Sequence, residues 1–145
     1  MKYIDPDTYK QARIDAIRSM IYGQGLNLSE FERQHGVCQS SIQRILSPYH
    51  NNGAETVDRV YKLVYLFAPK PIDVIGPDYQ EWYDSLLSVI VDYQNEMGYS
   101  DREFCKIVNM NGSVYYKYKN GESKPRDKTL WYSFCVVRDR VRQLR

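Results

Sequence analysis

Residues Asn27–Leu46 read NLSEFERQHGVCQSSIQRIL. Asn27 and Glu30 stand three apart, the spacing at which an N-cap side chain and the carboxylate of the third helical residue satisfy each other's backbone amides. A short helix is therefore predicted over Asn27–His35. Gly36 follows it, and glycine enters the left-handed backbone region without steric cost, so a sharp turn is expected there. Gln39–Leu46 reads as a second short helix. Ile42 and Ile45 face inward, and Gln39, Ser40, Ser41 and Gln43 are polar. Two short helices joined by a tight turn make a helix-turn-helix.

The flanking sequence supplies the remaining helices. Asp5-Pro6 has the form of a helix start, with Asp as cap and Pro at the first helical position. The helix it opens runs to about Tyr22 and carries Tyr9, Ala16, Ile17, Met20 and Ile21 at helical spacing. After the polar loop YHNNG, residues 49–53, a further helix runs from about Ala54 to Phe67, with Val57, Tyr61, Val64 and Ala68 on one stripe. APKPIDVIGP, residues 68–77, holds three prolines and a glycine. Helix cannot continue through it, and Ile72, Val74 and Ile75 are expected to pack on a neighbour.

The pattern then restarts. Pro77 opens a helix with the stripe Trp82, Leu86, Val89 and Tyr93. Ser100 and Glu103 repeat the capping-box spacing, and a helix to Val108 turns at Asn109 into another over Gly112–Lys119. Asn120-Gly121 closes that helix. A last helix from about Asp127 carries Leu130, Phe134, Val137, Val141 and Leu144. An internal repeat at an offset of 73 pairs Gly25 with Gly98, Asn27 with Ser100, Glu30 with Glu103 and Phe31 with Phe104. It also pairs Ser40 with Ser113, Arg44 with Lys117, Thr56 with Thr129 and Val64 with Val137. The matches fall on caps, turns and buried positions, which geometry constrains most. The expected fold is all-α: two tandem helix-turn-helix domains of four to five short helices each, over residues 1–68 and 78–145, with a linker over 69–77.

Composition bounds the function. The chain has 145 residues, 43% of them apolar, enough for one domain or two small ones. No apolar run is long enough for a transmembrane helix, and MKYIDPDTYK lacks the apolar core of a signal peptide. Three scattered cysteines, Cys38, Cys105 and Cys135, point to reduced thiols in a cytoplasmic protein, and no CxxC spacing suggests a metal. Net charge is +2, but it is uneven. Residues 1–100 hold 9 Lys+Arg and 13 Asp+Glu, a net of −4; residues 101–145 hold 11 and 5, a net of +6. That asymmetry points to a polyanionic partner for the C-terminal part, or to a solvated basic face.

The residues resemble the phage-repressor-type (lambda-repressor-like, Xre-type) helix-turn-helix family. The first copy carries the resemblance on Asn27, Glu30, Phe31, Gly36, Val37, Cys38, Ile42, Arg44 and Ile45. The second carries it on Ser100, Glu103, Phe104, Cys105, Val108, Asn109, Met110, Asn111, Ser113, Tyr115, Lys117 and Tyr118. Its tail KNGESKP is similar to the loop after the recognition helix in many members. The chain departs from the pattern at Glu32, where the family usually has a small residue, in the loop SPYHNNG, and at Asn109, which replaces the turn glycine. The resemblance implies duplex-DNA binding and transcriptional control, by activation or repression, in a phage or mobile element.

A recognition helix lays polar side chains against base edges in the major groove. The expected DNA-binding residues of the first copy are Gln39, Ser40, Ser41, Gln43 and Arg44, with Arg44 late enough in the helix to meet a phosphate. Those of the second are Asn111, Gly112, Ser113, Tyr116 and Lys117, lined also by Val114. Lys119, Asn120, Lys124 and Arg126 form a phosphate-facing set, while Tyr115 and Tyr118 fall on inward positions. Arg138, Arg140, Arg142 and Arg145 extend the basic surface. Fourteen tyrosines also admit stacking on single-stranded bases, although most sit at core spacing. Every one of these residues has a structural alternative, a solvated polar face or a packed core.

No HExxH, P-loop, GxSxG or paired-carboxylate constellation appears, so neither catalysis nor a cofactor is expected. The expected partner is double-stranded DNA. A protein partner on the same fold, with only the C-terminal domain touching nucleic acid, stays open. So does a homodimer seamed by the last helix, whose near-heptad stripe serves intramolecular packing equally well.

Overall fold

The computed structural model describes residues 3–67 and 77–144, and all the regular structure in them is helical. The helices are α1 (Pro6–Tyr22), α2 (Leu28–His35), α3 (Gln39–Leu46), α4 (Ala54–Tyr65), α5 (Tyr79–Met97), α6 (Asp101–Val108), α7 (Gly112–Lys119) and α8 (Asp127–Gln143). None of the described helices is long and apolar enough to cross a membrane.

The helices restart in register. α1, α2, α3 and α4 begin at residues 6, 28, 39 and 54, and α5 to α8 begin at 79, 101, 112 and 127, each 73 later. The physical cause lies in the caps. Asn27 accepts the Glu30 amide at 2.9 Å while Glu30 accepts the Asn27 amide at 3.4 Å. At the equivalent place Ser100 accepts the Glu103 amide at 3.2 Å, and Glu103 there accepts the Ser100 hydroxyl instead of its amide. α2 ends at Gly36 (φ 71°) and α6 at Asn109 (φ 56°), both left-handed. Asparagine tolerates that region better than most side chains, so the turn survives the exchange.

The chain divides into two compact units, Ile4–Gln80 and Glu81–Arg145, with Met1–Tyr3 counted in the second. In the first unit Ile17, Ile21, Phe31, Ile42, Val57 and Val64 form a closed apolar core. In the second, Trp82, Leu86, Ile90, Phe104, Tyr115, Leu130, Phe134 and Val137 are buried. Phe31 and Phe104, 73 apart, are both fully buried; truncation of either to alanine removes roughly 3–5 kcal/mol.

Several expectations change. α5 begins at Tyr79 instead of at Pro77. Ile90 takes the buried place on its stripe, and Val89 is only half-buried. Leu130, Phe134 and Val137 of α8 are buried within their own unit, whereas Val141 is half-buried and Leu144 exposed. The α8 stripe from Leu130 to Val137 is therefore part of the core of its own unit. The apolar trio Ile72, Val74 and Ile75, and most of the expected linker, lie outside the described residues. The Pro77 carbonyl accepts from Arg13 Nη2 and from the Tyr9 hydroxyl.

That contact belongs to a buried ionic cluster. Arg13 Nε meets Asp58 Oδ1 at 3.0 Å, both side chains almost wholly buried, and the Arg13 guanidinium lies 3.7 Å from the centroid of the Tyr9 ring. Asp58 Oδ2 also accepts the Tyr79 amide at 3.2 Å and the Lys62 ammonium at 3.1 Å. A buried carboxylate is tolerable only when its lone pairs are met in this way.

Candidate nucleic-acid interface

Each helix pair exposes the outer side of its second helix. On α3, Ile42 and Ile45 are buried, and Ser40, Ser41, Gln43 and Arg44 are exposed. Gln39 is half-buried, and its side-chain carbonyl accepts the Ser29 hydroxyl at 3.0 Å, tying the start of α3 to α2. Cys38 stands at the N-cap position of α3 without a side-chain bond to the helix amides, and its sulfur lies 2.9 Å from the Ser40 hydroxyl. That hydroxyl, followed by the backbone amides of Ser41 and Ser40, holds the exposed thiol below its usual range. The Asn52 side chain donates to the Arg44 carbonyl at 3.1 Å and closes the helix end, leaving the Arg44 guanidinium directed outward.

On α7, Asn111 caps the helix as expected. Its side-chain carbonyl accepts the Ser113 amide at 3.0 Å and the Ser113 hydroxyl at 2.7 Å. Ser113, Val114, Tyr116 and Lys117 are exposed, while Gly112 and Tyr118 are half-buried. Tyr115 is fully buried. Beyond the helix, Asn120, Lys124 and Arg126 are exposed around the buried Pro125, and the Lys124 ammonium stands 5.6 Å from the Tyr83 ring centroid. Arg102 and Lys106 of α6 line a shallow cleft of about 540 Å³ that also includes Asn109 and Gly112, at the entry to α7.

Lys119 is placed differently from the expectation. Its ammonium is 2.6 Å from Asp101 Oδ1, so it neutralises a carboxylate of its own unit instead of standing ready for a phosphate. Asp101 Oδ1 also accepts from Gln94 Nε2 at 2.7 Å, and the Gln94 carbonyl accepts the Tyr115 hydroxyl at 2.7 Å. Gln94 Nε2 makes one more bond, to the Tyr99 carbonyl at 3.2 Å. The network sets the pKa directions. The Lys119 ammonium, then Gln94, holds the Asp101 carboxyl below its usual range. Burial pushes the Tyr115 hydroxyl and the Cys105 thiol up.

Motif reading missed Gln94 and Asp101, because neither belongs to the helix-turn-helix pattern. The repeat held a signal for them. At the positions of Gln94, Asp101, Tyr115 and Lys119 the first half has Ile21, Leu28, Ile42 and Leu46. Those four apolar residues pack in or against the first unit's core. Four apolar residues are exchanged together for four polar ones, and the polar four bond to one another.

The charge asymmetry also changes once the units are known. Ile4–Gln80 holds 8 Lys+Arg and 9 Asp+Glu, a net of −1. Glu81–Arg145 with Met1–Tyr3 holds 12 and 9, a net of +3. The division at residue 100 had credited Glu81, Asp84, Asp92 and Glu96 of α5 to the wrong half; all four are exposed. The second unit thus carries acidic residues on α5 and its basic residues mainly on α6, α7, α8 and the loop before α8.

Comparison of the chain with protein-family models, with curated proteins and with solved structures found no match.

Proposed function

We propose that this protein is a sequence-specific duplex-DNA-binding transcriptional regulator built from two tandem helix-turn-helix units. What supports the reading most is the pair α6–α7. A left-handed turn holds an eight-residue helix with Ser113, Tyr116 and Lys117 outward and Lys124 and Arg126 close behind in sequence. A helix of that size fits a major groove about 12 Å wide. Its polar side chains address base edges, while lysine and arginine at its flanks neutralise phosphates and fix the register. The α2–α3 pair repeats the turn and the outward helix face with Ser40, Ser41, Gln43 and Arg44, while Gln39 at the helix start bonds Ser29. The resemblance to phage-repressor-type regulators extends the proposal to transcriptional control in a phage or mobile element.

Selection of bound sequences from a random duplex pool tests it. Two half-sites among the winners are expected if both units read bases. An unenriched pool, together with affinity that does not fall as salt rises, would sink the reading. The second reading, a protein-interaction adaptor, is favoured by the near-neutral first unit and by Glu32, exposed on α2. An adaptor would bind duplex weakly at every salt concentration.

A further inference from the structure

We infer that the two halves hold a nucleic-acid backbone unequally, with most of the phosphate grip on the second unit. The inference rests on the duplex-DNA reading above and specifies which surface carries the affinity. Because the helices repeat in register at 73 residues, each surface position in one half has a defined counterpart in the other. Five exposed cations stand on α6, on α7 and in the loop that follows it: Arg102, Lys106, Lys117, Lys124 and Arg126. Their counterparts are Ser29, Arg33, Arg44, Asn51 and Gly53, and these are exposed as well. The positions are equally accessible, so the loss of three cations is a difference of chemistry and not of burial.

Neighbouring positions point the same way. Exposed Glu32 on α2 corresponds to buried Cys105 on α6. Lys128, at the start of α8, corresponds to Glu55 at the start of α4. The first half keeps Ser40, Ser41 and Gln43 outward, neutral groups that make hydrogen bonds but attract no counterion-coated polyanion.

Salt dependence counts the difference. Each phosphate neutralised on duplex DNA contributes about −0.9 to the slope of log K against log salt. Five cations on the second unit and two on the first therefore set a slope of about −6, where two equal heads would give about −9. The test is fluorescence anisotropy of the full-length chain with a short mixed-sequence duplex over a range of salt. Lys117→Ala/Lys124→Ala/Arg126→Ala is expected to make the slope shallower by about 2 to 3. Arg33→Ala/Arg44→Ala removes at most two contacts and is expected to make it shallower by less than about 2. All five positions are exposed, and a Lys→Gln/Arg→Gln series at the same sites separates loss of charge from loss of side-chain bulk. Equal shallowing by both variants would overturn the inequality while leaving DNA binding intact. Failure of the parent chain to bind duplex even at low salt would overturn the inference and the duplex reading together.

Discussion

The buried contact between Tyr115 and Gln94 permits a sharp test. The Tyr115 hydroxyl donates to the Gln94 carbonyl at 2.7 Å, and both side chains are buried. Tyr115→Phe removes the donor and leaves the amide oxygen without it in a dry site, which costs about 1–3 kcal/mol. Gln94→Leu strands the tyrosine hydroxyl and also removes the donor to Asp101 and to the Tyr99 carbonyl, so it costs at least as much. The double variant strands neither partner of the pair, and the first half holds Ile21 and Ile42 at the same two positions, both fully buried. An apolar pair is thus compatible with this helix geometry. The double variant is expected to be less destabilised than the sum of the singles by about 1–3 kcal/mol, a coupling characteristic of groups in direct contact. The assay is urea unfolding followed by tryptophan fluorescence. Both tryptophans, Trp82 and Trp131, belong to the second unit, so the signal reports that unit alone. Additive singles, or a Tyr115→Phe variant within about 0.5 kcal/mol of the parent, would refute the argument that this network is dry and satisfied.

Breaking the buried ion pair by Asp58→Ala leaves Arg13 charged and uncompensated, and a loss of about 3–5 kcal/mol is expected in urea unfolding followed by far-ultraviolet circular dichroism; a loss under about 1 kcal/mol would mean that water reaches the site. Gly36→Ala forces a side chain into left-handed backbone and is expected to destabilise by about 1–2 kcal/mol, whereas Asn109→Gly relieves that strain, so thermal melts should move in opposite directions for the two. The Asp101 carboxyl is held below its ordinary value near 3.8. Its stabilisation is therefore present above that pH and is lost as the pH falls through the depressed folded value. The urea-midpoint advantage of the parent over Asp101→Asn should be full near neutrality and vanish in strong acid, and a constant difference across that range would contradict the assignment.

Every helix was legible from local features: caps at Asn27, Ser100 and Asn111, left-handed turns at Gly36 and Asn109, and apolar spacing within each element. These are contacts between residues a few positions apart, so their chemistry appears in any short window. The repeat was legible for the same reason, since caps and turns tolerate few residue types. The exposed candidates Ser40, Ser41, Gln43, Arg44, Ser113, Tyr116 and Lys117 came from the resemblance of the two helix pairs, and Asn120, Lys124 and Arg126 from the resemblance of the loop after the second.

Tertiary structure decided which charges remain available to a partner. Lys119 reads as a basic residue at a helix end, and only packing brings it to Asp101, 18 positions away. Arg13 lies 45 positions from Asp58 and reads as an ordinary surface cation on an amphipathic helix. Gln94 occupies a core place because the loop after α5, together with α6 and α7, supplies its partners. Desolvation makes such pairings obligatory: a buried charge or amide costs several kcal/mol unless it is met, and the group that meets it is chosen by the fold and not by its neighbours in the chain.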